Sequence, residues 1–145
     1  MATKDAKLDR DEVTNAYNAV RDNNDPITWA VFKYGDGNLI STAATGTEYD
    51  EFLTHFTDDE RVYGFLRLET GDELSKRAKF AFVAWIGEDV GALKKAKVST
   101  DKAIVKSVVA SFAAEILTSE RSDLRYDTIF ARVKKAGGAD YNGGR

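Results

Sequence analysis

The sequence contains no cysteine, so neither a disulfide framework nor a thiolate metal site is available to it. Its single histidine, His55, excludes a multi-histidine metal centre. That imidazole also stands without any recognisable nucleophile signature elsewhere, which leaves a hydrolase triad incomplete and His55 as a structural or surface residue. The first residues, 1–7, are charged and carry no apolar run, so they read neither as a secretory signal nor as a membrane span, and a cytoplasmic address is the expectation. Excess positive charge is missing too. With 21 Lys and Arg against 24 Asp and Glu the net charge is −3, a field that does not favour nucleic acid or an acidic membrane. Phosphate-loop and dinucleotide fingerprints are absent, and the acids Glu48, Asp50, Glu51, Asp58, Asp59 and Glu60 lack calcium-loop spacing and read as turn and cap residues. No catalysis, cofactor or metal is expected.

What is present is a globular composition. Of 145 residues, 43% are apolar and 11% aromatic, enough for one domain with its own core. Val13, Ala16, Tyr17 and Val20 recur at helical spacing behind Asp9 as a cap, and Asn23-Asn24-Asp25-Pro26 stops that helix. Residues 27–34 carry large apolar side chains at both parities, the pattern of a strand covered on both faces. Gly35-Asp36-Gly37-Asn38 then marks a tight turn into a returning strand over 39–44. Thr47 and Asp50 resemble a capping box for a short helix bearing Tyr49, Phe52, Leu53 and Phe56. Residues 61–68 and 80–86 read as two further strands, with Lys76, Arg77 and Lys79 clustered at the entrance of the second. Ser99 or Thr100, followed by Asp101, reads as the start of the longest helix, whose apolar stripe runs through Ile104, Val105, Val108, Val109, Phe112 and Ile116. Lys102, Lys106 and Ala110 lie on another face of it. A fifth strand over 114–119 is the alternative for the end of that stretch. Leu124, Tyr126, Ile129, Phe130 and Val133 form a last helix that Gly137-Gly138 is expected to end. Strands interleaved with helices imply an α/β domain built on a mixed sheet.

The basic residues are the informative surface. Lys102 and Lys106, four apart on a helix, repel slightly, a small cost that an acidic partner would convert into attraction. An ordinary solvated face explains the same charges, and periodicity does not choose between these readings.

The segments Thr57-Asp58-Asp59-Glu60-Arg61, Thr70-Gly71-Asp72-Glu73-Leu74-Ser75-Lys76-Arg77-Ala78-Lys79-Phe80 and Ala84-Trp85-Ile86-Gly87-Glu88 resemble the coactosin family in order and spacing. So do Phe32-Lys33-Tyr34, Ser99-Thr100-Asp101-Lys102 with Val105-Lys106, and Lys134-Lys135-Ala136-Gly137-Gly138-Ala139-Asp140-Tyr141, so the resemblance spans residues 11–141. It implies an actin-depolymerising-factor homology fold: a central mixed sheet of five or six strands flanked by helices on both faces. One such domain would occupy 1–145, with its core over about 8–135 and a flexible tail over 136–145.

The resemblance further implies a cytoskeletal monomer that binds actin filaments, binds monomeric actin weakly or not at all, depolymerises little and opposes barbed-end capping. Carried over by position, Lys79 is the foremost contact, with Lys76 and Arg77 beside it. Lys102 and Lys106 would lie on the long-helix surface, and Glu120 and Arg121 in a second contact at the turn before the last helix. Ala103 stands where severing relatives carry a bulky methionine, and no regulatory N-terminal serine is evident, Thr3 being the nearest hydroxyl. A non-actin regulatory adaptor on the same fold is the competing reading, because fold does not fix function.

Overall fold

The structure, a computed structural model, describes residues 5–71 and 77–143, with side chains as far as Ala136. Alternation of core residues along the strands splits the interior into two layers, one on each side of a six-stranded sheet. The elements in chain order are β1 (Lys7–Leu8), α1 (Arg10–Arg21), β2 (Trp29–Tyr34), β3 (Leu39–Gly46), α2 (Tyr49–Leu53), β4 (Arg61–Thr70), β5 (Arg77–Ile86), α3 (Ala92–Lys106), β6 (Ala114–Thr118) and α4 (Tyr126–Gly143). The sheet order is β1-β3-β2-β4-β5-β6, antiparallel in the middle and parallel at both edges. Val13 and Val20 of α1 and Val98 and Val105 of α3 pack with Phe32, Phe65 and Phe82 on one face. Phe52 of α2 and Ile129 and Val133 of α4 pack with Trp29, Val83 and Trp85 on the other. The expected mixed sheet with helices on both faces is therefore what the chain builds.

Local chemistry accounts for most boundaries. The Asp9 carboxylate accepts from the Glu12 amide at 3.2 Å and caps α1. In the turn between β2 and β3, Gly37 and Asn38 take φ of 66° and 61°, a backbone region that glycine and asparagine enter at least cost. Gly64 of β4 leaves room for two rings: a Cβ there would lie 3.0 Å from Phe52 and 3.2 Å from Phe56.

Several expected boundaries are corrected. β1 carries too short a pattern to read. Thr47 caps nothing; Glu48 precedes α2 without a side-chain cap, and its carbonyl accepts from Trp29 Nε1 at 2.8 Å. α3 begins at Ala92, seven residues before the expected Ser99, which together with Thr100 and Asp101 lies inside it. It also ends earlier, where the Ser107 hydroxyl donates to the Ile104 carbonyl at 2.6 Å. Val108, Val109 and Phe112 follow it as irregular chain still packed on the core, and Ile116 belongs to β6. The helix expected to stop at Gly137-Gly138 continues to Gly143, since glycine weakens a helix by about 1 kcal/mol rather than forbidding it.

Asp101 holds α3 to the sheet. Its side chain is 3% exposed and lies 3.5 Å from Arg61 of β4, itself 6% exposed. Tyr34 of β2 donates to the Asp101 carboxylate at 2.7 Å, and the hydroxyl of Tyr63 lies 2.7 Å from that of Tyr34. The Arg61 guanidinium stacks 3.6 Å above the Tyr34 ring and also donates to the Lys94 carbonyl at 3.4 Å. Burial and the neighbouring phenol push the Tyr34 hydroxyl far up, and burial pushes Tyr63 up to about 12, so both stay neutral donors. Removing one partner strands the other charge. Asp101→Ala is expected to lower unfolding free energy by about 3–5 kcal/mol in urea titration, whereas the double replacement Asp101→Leu with Arg61→Leu costs less than the single one.

Candidate partner-binding surface

The sequence-marked residues border the β6 side of the sheet, but the structure separates them into three groups. Arg77 and Lys79 open β5, paired with Thr70 and Leu68 of β4. Strand alternation puts both on the layer that contains α2 and α4, with Arg77 exposed and Lys79 half-buried. Neither makes an ion pair with another described residue. Lys76 lies outside the described residues.

Lys102 and Lys106 lie across the sheet on α3. Their ammonium groups each stand 2.7 Å from a different oxygen of Glu115 in β6. The repulsion expected between them is thus resolved within the molecule, by a residue that the sequence reading did not mark. Glu115 is inconspicuous in sequence because it sits in a short strand, alternating with buried Ala114 and Ile116. Burial favours its neutral form, but hydrogen bonds from Lys102 and Lys106 outweigh that and hold its carboxyl below the ordinary range. Its backbone is held as well: Arg132 of α4 donates to the Glu115 carbonyl at 3.0 Å.

Glu120 and Arg121 lie beyond the far end of β6. Arg121 is half given over to structure: it pairs with Asp58 at 3.0 Å, donates to the Phe56 carbonyl at 3.0 Å and lies 5.3 Å from the Trp85 ring. Glu120 is exposed, and its amide donates to the Thr118 hydroxyl at 2.9 Å. Lys79 precedes the register pair Ala81–Ala114 and Arg121 follows Trp85–Thr118, so strand rise separates them by roughly 20 Å. A partner touching all three groups must cover an extended surface.

The early start of α3 adds residues to that surface. Ala96, Ser99, Thr100 and Ala103 are exposed at three- and four-residue spacing, a small, uncharged helix face with Lys102 and Lys106 at its flank. Leu93 stands at its beginning, 73% exposed, and Leu117 of β6 is 52% exposed beside the helix. The sign of Leu93 in sequence was one large apolar residue amid lysines. Elsewhere His55 packs 5.6 Å from the Trp29 ring, and burial followed by the charge of Lys33 holds its pKa below 6.5, consistent with a packed residue rather than a base.

Because the folded Glu115 pKa is depressed, its contribution to stability is present above the ordinary carboxylate range and lost as pH falls through the lowered value. Followed by side-chain carbonyl NMR, the Glu115 titration should lie below 4.5 and move back up in Lys102→Met and in Lys106→Met.

Residues 5–134 match the family described as cofilin/tropomyosin-type actin-binding protein. Over 142 residues the chain is 47% identical to the coactosin-like proteins of Bos taurus and Homo sapiens, covering 98% of this chain and 97% of each of them. Coactosin of Dictyostelium discoideum is 36% identical over 97% of both chains. Among solved structures, human coactosin-like protein superposes with a TM-score of 0.85 at 45% identity, covering 90% of this chain and 98% of that one. Mouse coactosin, described as an actin filament binding protein, gives 0.77 at 44% identity over 96% and 97% of the two chains. A six-stranded mixed sheet with helices on both faces and full-length likeness to coactosins lead to one assignment: the chain belongs to the cofilin/tropomyosin-type actin-binding family, whose members bind actin and catalyse no reaction, and within it to the coactosins.

Proposed function

We propose that this protein binds the sides of actin filaments as a monomer in the cytoplasm, within the cytoskeleton, without severing or strongly depolymerising them, and opposes barbed-end capping. Full-length likeness to coactosins carries this reading, and the charge arrangement supports it. Actin filaments are acidic, so the β5-entrance cations, which no described residue neutralises, would steer and orient the domain, while the small outer face of α3 supplies close contact. Ala103 is exposed on that face. A methionine there would bury several more methylene-sized groups, each contributing roughly 0.8 kcal/mol, so the alanine favours weak binding to monomeric actin and disfavours severing.

The lysines are not equivalent in this proposal. Lys102 and Lys106 share the Glu115 carboxylate, whereas Lys79 meets the solvent with its charge uncompensated by any described residue. Co-sedimentation with filaments at low and physiological salt should therefore show Lys79→Ala binding about tenfold more weakly, a difference near 1.4 kcal/mol, with Lys102→Ala less affected and filament mass unchanged. Failure of the folded wild-type chain to pellet at either salt would overturn the filament reading and favour a non-actin partner.

A further inference from the structure

We infer that Glu115 is a positioning residue of the partner-binding surface, which restrains Lys102 and Lys106 and thereby limits how strongly the surface attracts an acidic partner; this rests on the filament reading above. Glu115 presents one oxygen to each ammonium at 2.7 Å. The three side chains together therefore carry a charge of +1, two cations less one anion, where the two lysines alone would present +2. An acidic group of a partner must compete with a carboxylate already in place. That carboxylate projects from an edge strand whose carbonyl is held by Arg132 at 3.0 Å, and its side chain is only 25% exposed. Lys102 and Lys106 are 22% and 34% exposed, so the lysines can still be reached from solvent at the flank of α3. Lys106 also lies 5.6 Å from the Phe112 ring, which keeps it near the helix if the carboxylate is removed.

The inference predicts a gain of binding on removing a native contact, the reverse of what a purely structural ion pair gives. Glu115→Gln keeps the size and polarity of the side chain and frees both lysines. In co-sedimentation with filaments at low salt the full chain carrying Glu115→Gln should bind about two- to fivefold more tightly than wild type, the range of one exposed ion pair, and the advantage should shrink at physiological salt. Adding Lys102→Gln and Lys106→Gln to the same chain should abolish the gain. Glu115→Asp, too short to reach both ammonium groups, serves as the second variant, with a smaller gain. Unchanged or weaker binding by folded Glu115→Gln or Glu115→Asp, while wild type pellets, overturns the inference and leaves the filament reading standing. So does a gain that survives loss of both lysines. If wild type itself does not pellet, the filament reading fails and the inference falls with it.

Discussion

The ion pair between Asp101 and Arg61, roofed by the Tyr34 ring, decides where the long helix lies. Both charges are buried, and a buried pair contributes little net stability because desolvation offsets attraction. Its value is positional. Among the described residues the Asp101 carboxylate is met by Tyr34 and Arg61, which are fixed in the paired strands β2 and β4. The rotation of α3 about its axis is thereby set. The next residues, Lys102 and Ala103, then face the β6 flank and solvent, so an invisible interior pair orients a visible exterior surface.

The edge strand β6 performs the complementary task. It adds one parallel partner to β5 and joins the two helical layers: its Glu115 side chain reaches α3 while the carbonyl of the same residue is held by α4. Beyond its end, Thr118 donates to Asp123 at 2.6 Å and Arg121 reaches back to Asp58. A short strand is in this way tied at both ends and on both faces.

The strands β2, β4 and β5 were legible because each is a run of large apolar residues bounded by turn chemistry, β3 because the Gly35-Asp36-Gly37-Asn38 turn calls for a returning partner, and α1 because its cap and spacing agree. α3 was misread for a physical reason. Its first turn is Ala-Leu-Lys-Lys after Gly91, with no side-chain cap to announce it, whereas Ser99-Thr100-Asp101 has the composition of a cap but lies mid-helix. The acid that looked like a helix-dipole residue is the one that pairs with Arg61. The stripe from Ile104 to Ile116 looked helical because a helix end and an irregular segment bury apolar residues on one face of the sheet, and Ile116, in a strand of that sheet, is buried on the other. Periodicity records burial, not the backbone that achieves it. Lys102 and Lys106 could be found from their spacing, but Glu115 could not, since its partners are met only through the tertiary fold.

We place the filament contact proposed above on the surface formed by α3, β6 and the start of β5. Amide hydrogen exchange of the full chain, free and bound to actin filaments, tests this most directly. Added protection is expected over α3 and the beginning of β5, with α1 and β3 unchanged. Protection confined to α1, β1 and β3 would place the contact on the opposite edge of the sheet and contradict it.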